Sequence, residues 1–362
     1  MSIRFGLIGC GRMGEKHAAT LAGISNARLV AVSDINPERM EAVEKRYLQD
    51  SGRNGKVARY PDPLSLLNDS TIEAVVIATS THLHAPLAQE AMRAGKHVMV
   101  EKPISLSLQE AEETINLAGE LGRHLLVCHQ LRYRPLLQKL KEWVEDERLG
   151  YIHLGSIRIS FARPLTYYLS SPWRGRRLTD GGMVVNQGIH LLDLLLWLMG
   201  EVDSIYGEFV HWRTEKETED AALGILSFRR GGKGVMEMNV MTYPANLEMG
   251  LSLFGEKGTI SLGGPSMNQI KRVALEGHEG AEEEAAALLK EEGEERRMYE
   301  AFIRTLLSGE ASLLIPSRQI YHALETSLAF YQSAAAHLPV FLPLREDHRE
   351  RREKDADLSW GD

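Results

Sequence analysis

Cysteine is almost missing from this 362-residue chain: Cys10 and Cys128 stand alone and far apart. No CxxC spacing exists, so neither a disulfide framework nor a thiolate zinc site is expected, and both read as inert small hydrophobes. Long apolar runs are missing as well. The longest, Ile189 to Met199, is broken by His190 and Asp193 and falls well short of the ~20 residues of a membrane span. Nor is there a surplus of positive charge, since 42 Lys and Arg against 50 Asp and Glu leave a net charge of −8. With no basic field, nucleic acid is not an expected partner. No charged leader, apolar segment and cleavage site precede the first strand pattern, so the protein is expected to be soluble and cytoplasmic.

What remains is ordinary globular composition, 43% apolar and 25% charged. The length exceeds the roughly 250 to 300 residues at which single cores stop growing, which predicts two domains. Over residues 1–128, short β-rich runs alternate with helical patterns. The runs are Ile3 to Gly9, Arg28 to Asp34, Val57 to Tyr60, Ile72 to Thr79, His97 to Val100 and His124 to Cys128. Between them, Asn36 and Pro37 open a helix, Ser107 and Glu110 spell a capping box, and Gly95 and Gly122 mark helix ends. Strands without alternation, separated by helices, indicate a doubly wound parallel sheet covered on both faces.

Beyond a linking helix at Pro135 to Glu147 the pattern changes. Ile152 to Phe161 alternates apolar and polar residues, as a half-exposed antiparallel strand does. Further strands are expected near Ile205 to Trp212, Ala221 to Phe228, Gly234 to Met241, Glu248 to Phe254, Gly258 to Leu262 and Val340 to Leu344, with helices over Glu282 to Leu307 and Ser317 to Ala336. Residues 129–344 thus read as an α+β domain on a mainly antiparallel, open-faced sheet with helices on one side. The bare face of that sheet predicts a homo-oligomer, a dimer or tetramer. Residues 345–362 are almost wholly charged and read as a solvated tail.

Gly9, Gly11 and Gly14 form GxGxxG directly after the first strand and open a helix. The first glycine permits the tight turn, the second admits a pyrophosphate to the backbone, and the third allows close helix-to-strand packing. Asp34 ends the second strand twenty residues past Gly14, where a carboxylate accepts ribose hydroxyls. Together they predict a Rossmann domain that binds NAD. A carboxylate there repels the extra phosphate of NADP, which is less favoured, although Arg39 lies within reach. Arg12 and Met13, inside the turn, belong to the same cofactor site.

In open parallel sheets the ligand lies beyond the carboxyl ends of the strands. The fourth strand ends at Thr79 to His82 and the fifth at Glu101, Lys102 and Pro103. Thr79, His82, Glu101 and Lys102 are therefore expected at the cofactor. His82 and His84 lack a third ligand, so no metal is expected there. A second constellation is Asn186, His190, Asp193 and Trp197, at helical spacings of four, three and four on an otherwise apolar helix. Such a buried polar stripe needs partners, whether catalytic or structural.

These segments resemble the Gfo/Idh/MocA oxidoreductases: GCGRMGEKH at Gly9 to His17, EKP at Glu101 to Pro103, and GGMVVNQGIHLLD at Gly181 to Asp193. The resemblance implies that Lys102 and His190 stand at the nicotinamide and the reacting hydroxyl, with Asn186 where many members carry Asp, and Trp173 and Arg174 on the nicotinamide side. Asp193 is expected to orient His190. The block from Tyr167 to Gly200 is most similar to members acting on nucleotide sugars at the 3-position, of the UDP-N-acetylglucosamine type. An inositol or free-sugar dehydrogenase is the alternative enzyme. A silent NAD-binding regulator is the alternative of another class, which has no need of Lys102 and His190. An unperturbed imidazole near pH 6.5 needs less tuning than a lysine to act as base, so His190 is expected to be the easier base and Lys102 the one the resemblance favours.

Overall fold

A computed structural model describes residues 2–310 and 314–344. Six strands, β1 (Ile3–Ile8), β2 (Ala27–Ser33), β3 (Ala58–Tyr60), β4 (Ala74–Ile77), β5 (His97–Val100) and β6 (Leu125–Val127), pair in parallel in the order β3-β2-β1-β4-β5-β6. Every residue of β4 is buried, which is why the central strands carry no alternation. Helices α1 (Arg12–Ala22), α2 (Pro37–Ser51), α3 (Pro63–Leu67), α4 (His84–Arg93) and α5 (Leu108–Glu120) connect them. The strand order reverses between β1 and β4, and a crevice opens beyond their carboxyl ends.

Local chemistry explains the helix starts. The Asn36 side chain accepts from the N–H groups of Glu38 and Arg39, with Pro37 at the first helical position. The capping box at Ser107 is only half made. Glu110 N–H reaches Ser107 Oγ at 3.4 Å, but the Glu110 carboxylate turns away to accept from the buried Ser105 hydroxyl at 2.6 Å.

After α6 (Pro135–Glu145) comes an eight-stranded sheet of order β13-β12-β11-β7-β10-β9-β8-β14. Its strands are β7 (Ile152–Ser160), β8 (Val202–Val210), β9 (Ala221–Phe228), β10 (Gly231–Asn239), β11 (Glu248–Gly255), β12 (Gly258–Gly263), β13 (Gln269–Leu275) and β14 (Val340–Phe341). It is mainly antiparallel, but β7 runs parallel to β10 and antiparallel only to β11. β13 escaped the sequence pattern because Lys271 and Arg272 interrupt its apolar residues. Helices α7 (Leu165–Leu169), α8 (Ile189–Met199), α9 (Ala281–Leu289), α10 (Glu294–Ser308) and α11 (Ser317–Ala336) complete the fold. The single helix expected over Glu282 to Leu307 is two, parted at Lys290 to Gly293, where Gly293 adopts φ +98°.

The two cores are not sealed from one another along the sequence. α10 sends Met298, Tyr299, Phe302 and Ile303 into the core of the parallel sheet, and Ile320 and Leu324 of α11 join them. α8 and α11 pack on one face of the second sheet. On its opposite face Leu223, Ile225 and Val235 are exposed, Val235 lying directly beside Ile225. Among the described residues no helix is long and apolar enough to cross a membrane. The charged stretch 345–362 lies outside the described residues.

Candidate active site

The glycine turn has the geometry its spacing predicts. Gly9 takes φ +96°, and a Cβ on it would meet the Ala78 carbonyl oxygen at 2.5 Å, so the turn is pressed against the end of β4. A Cβ on Gly14 would lie 2.0 Å from the Gly9 carbonyl oxygen, the close approach of helix to strand. A Cβ on Gly11 would meet nothing within 4 Å, and no side chain caps the α1 N-terminus behind it. Open space before uncapped N–H groups suits a pyrophosphate. Arg12 is exposed and Met13 half-buried at this mouth.

The Asp34 carboxylate is fixed at the end of β2. Cys10 N–H donates to its Oδ2 at 2.7 Å and Asn36 N–H to its Oδ1 at 2.8 Å. Beside it Ile35 is 95% exposed, an apolar surface that sequence reasoning passed over although it directly follows the strand-end acid. Arg39 is exposed on the first turn of α2.

Thr79 is half-buried after β4, and His82 is exposed on the short turn Thr81–Leu83. His84 instead is buried. Its Nδ1 donates to the Pro103 carbonyl at 2.7 Å and its Nε2 lies 3.2 Å from the Thr79 carbonyl, so the ring ties the two crevice loops together.

Glu101 does not present its carboxylate to the crevice as expected. The side chain is buried, with Oε1 bonded to His17 Nε2 at 3.0 Å, while Tyr299 hydroxyl meets His17 Nδ1 at 2.9 Å. Burial alone would raise the Glu101 carboxyl, but His17 and the Lys102 charge hold it below its ordinary range. His17, Glu101 and Cys128 lie within 4.8 Å of one another. Both nitrogens of His17 are already engaged, by Glu101 and Tyr299, so the group reads as a packed structural cluster.

Lys102 reaches out of the first half into the second. Its Nζ donates to the Asn186 backbone carbonyl at 2.6 Å and lies 3.4 Å from Asn186 Oδ1. Burial lowers the ammonium pKa, opposed by the charges of Glu101 and Asp180. Asn186 sits in a π-turn, Val184–Gly188, that precedes α8, so the helical stripe expected from spacings of four, three and four is broken before His190. The same turn carries the Asn186 carbonyl that Lys102 meets.

The imidazole of His190 is not near its ordinary value. Burial, then the charge of Lys102 and the neighbouring His129 and Lys16, push it well below 6.5, and its Nδ1 is buried with no hydrogen-bond partner among the described residues. The expected orienter is elsewhere. Asp193 accepts from Arg132 Nε at 2.7 Å and Nη2 at 2.6 Å, stands 3.5 Å from His129 Nδ1, and makes no bond to His190. A guanidinium fork outcompetes a neutral ring for a buried carboxylate. Trp197 lies under that guanidinium, 5.2 Å from its ring centroid.

Arg163 and Arg174 stack on aromatic faces rather than pointing into water. Arg163 lies 4.8 Å from the Phe161 ring centroid, Arg174 4.3 Å from that of Tyr167 and 5.4 Å from that of Trp173, and the Nε of each is buried without a hydrogen-bond partner among the described residues. The Arg163 charge is felt at Lys102. Arg176 is exposed and Arg177 N–H donates to Glu217. Beside Arg174 and Arg176 an open cleft of about 370 Å³ runs down to Lys216 and Glu217.

Sequence reasoning missed His129 and Arg132, and gave no partner to the buried Asp180, which accepts from Gly175 N–H at 2.7 Å and from the Asn186 amide. The first two follow β6, and the rule that singled out the ends of β4 and β5 applies equally there.

The oxidoreductase family with an NAD-binding Rossmann fold, Gfo/Idh/MocA, matches residues 3–129, and the Gfo/Idh/MocA C-terminal domain matches residues 137–261. Myo-inositol 2-dehydrogenase of Thermotoga maritima is 30% identical over 263 residues, 71% of this chain and 74% of that protein. The WlbA dehydrogenase from Bordetella pertussis, solved with NADH and UDP-GlcNAcA, superposes with a TM-score of 0.82 at 31% identity, covering 95% of this chain and 100% of that one. The WlbA dehydrogenase from Chromobacterium violaceum, solved with the same two ligands, gives a TM-score of 0.84 at 31% identity, covering 95% and 97%.

Proposed function

The chain belongs to the Gfo/Idh/MocA oxidoreductases and is an NAD-dependent dehydrogenase of CH–OH groups, and we propose that its substrate is a nucleotide sugar whose hydroxyl proton is moved by Lys102 and His190. The observation that carries this reading is the bond from Lys102 Nζ to Asn186, which draws the strand-end lysine to the turn that opens the helix of His190. Open space at Gly11 and the anchored Asp34 carboxylate fit the pyrophosphate and ribose of the dinucleotide. Bound NAD supplies the hydride acceptor. Thr79, His82, Trp173 and Arg174 complete its surroundings in this reading, and Asp34 favours NAD over NADP.

Burial brings Lys102 toward the neutral amine that accepts a hydroxyl proton, and holds His190 neutral with a ring nitrogen unspent. Arg163 and Arg174, stacked and with unpaired Nε groups, suit a diphosphate or a uronate carboxylate. The inositol reading has its own support in the 30% identity to an inositol dehydrogenase. Mixing protein and NAD with UDP-sugars, inositols and free sugars while following 340 nm absorbance separates the two. Turnover of UDP-sugars at least about tenfold faster is expected, and turnover of inositol alone overturns the nucleotide-sugar assignment. NADH binding with no turnover of any of them would mark a silent regulator.

The exposed Leu223, Ile225 and Val235 support assembly of copies through the open sheet. Sedimentation is expected to show a dimer or tetramer, and a monomer at micromolar protein excludes it.

A further inference from the structure

The side chain that faces Lys102 is a carboxamide, which can offer either an oxygen or an NH2 group. Asn186 offers its oxygen, 3.4 Å from Lys102 Nζ. Its amide nitrogen is spoken for behind, where it donates to Asp180 Oδ1. Asp180 is 3% exposed and held in turn by Gly175 N–H, which donates to Oδ2 at 2.7 Å. An ionised carboxylate only accepts, so the amide nitrogen must turn toward Asp180 and the oxygen is left for the lysine. A carboxylate buried this deeply is costly unless its bonds serve something. No Lys or Arg pairs with it among the described residues, and the cation it acts on, at one remove, is Lys102.

We propose that Asp180 is a positioning residue for proton transfer at Lys102, acting through Asn186, whose amide oxygen it holds toward the lysine nitrogen. The inference rests on the reading of Lys102 as a proton-transfer group.

Asp180→Asn tests it with little disturbance of the fold. An amide at 180 still accepts from Gly175 through its oxygen, but its NH2 now needs an acceptor, and the Asn186 amide turns over to supply one. That swings the Asn186 NH2 onto Lys102, where it ties up the lone pair of the neutral amine and stands donor against donor once the lysine has taken the proton. The expected result is a kcat lower by about 10- to 100-fold, with NADH affinity and KM for NAD unchanged. The exchange Asp180→Asn with Asn186→Asp puts the acceptor-only group directly before Lys102 and the amide behind it. It is expected to recover about tenfold or more over Asp180→Asn, and to outrun Asn186→Asp alone, in which two carboxylates face each other. A role of Asp180 confined to holding its turn gives no such rescue.

A kcat for Asp180→Asn within about twofold of the parent, or an exchange variant no faster than either single variant, overturns the proposal. If thermal unfolding shows that Asp180→Asn does not fold, the comparison of Asn186→Asp with the exchange variant decides. Lys102→Ala measured alongside separates two failures. Full turnover in that variant removes the lysine's role and this inference with it, whereas its loss together with full turnover in Asp180→Asn removes the Asp180 inference alone.

Discussion

The two walls of the crevice are made of different materials. The wall from the parallel sheet is largely backbone: a glycine turn with no room at Gly9 and Gly14 and open space at Gly11, an uncapped helix start, and one carboxylate pinned by two N–H groups. The wall from the second half is side chains, with Asp180 behind Asn186, Arg132 and His129 around Asp193, and a His190 whose Nδ1 has no hydrogen-bond partner among the described residues. A backbone-built site needs only the right few residues in a row. A side-chain site needs every buried charge answered by a partner, so its parts fail together when one is removed.

The largest expected effects bear on the point where the walls meet. Lys102→Ala and His190→Ala each lose about 10²- to 10⁴-fold in turnover with NADH binding kept, because a proton-transfer group has gone while the glycine turn stands. Full turnover in either variant removes that residue from the chemistry. The pH profile sharpens the point. With His190 held well below 6.5 and Lys102 below 10.5, alcohol oxidation rises as pH climbs through the lowered lysine value. No imidazole step is expected near 6.5, and finding one that vanishes in His190→Ala contradicts the neutral ring.

Next in size is the Arg132–Asp193 pair, exposed by only 5% and 1%. Arg132→Leu leaves a buried carboxylate without its fork and is expected to cost about 3 to 5 kcal/mol in urea unfolding, while turnover per folded molecule changes little. Loss of turnover without loss of stability would return Asp193 to the catalytic role that its place on α8 first suggested. On the backbone wall, Asp34→Ser removes the repulsion toward a 2′-phosphate. The ratio of NADH to NADPH affinity is expected to fall about tenfold, and an unchanged ratio means that Asp34 does not face the ribose.

The same contrast decides what could be read from the chain. The tight turn at Gly9 to Gly14 and the strand-end place of Asp34 were legible because both are local, within twenty-five residues. The place of Lys102 at the end of β5 was legible in the same way. Asp193 was misassigned because its partner lies 61 residues away in sequence, after a strand whose end received no attention. The direction of the Glu101 carboxylate was illegible for a similar reason, since it turns to His17, itself held by Tyr299 from a position 282 residues further on. Periodicity also assumes a regular helix, and the π-turn at Val184–Gly188 broke the stripe on which Asn186 was placed. The depressed His190 pKa follows from burial and neighbours, neither of which a spacing records.

The smallest expected effect concerns a histidine at the far end of the parallel-sheet wall. His97 begins β5, at the opposite end of the strand that delivers Lys102. Its ring is half-buried, stacks on His124 at 5.2 Å between centroids, and accepts from His124 N–H at 3.0 Å. Burial, then the charges of His124 and Arg123, bring its pKa from 6.5 to about 4. The unfolded chain therefore binds the proton first. Stability from this group is whole above 6.5 and drains as pH falls toward 4. Solvent screens a half-exposed ring, so the loss expected is about 1 kcal/mol rather than the full linkage value. His97→Asn keeps an acceptor for His124 but does not titrate, so the wild-type protein should lose about 1 kcal/mol relative to it between roughly pH 7 and pH 4.5 in urea unfolding. A difference that stays flat would mean that the His97 ring takes up its proton as readily in the folded protein as in the unfolded chain, and that its burial costs the charged form nothing.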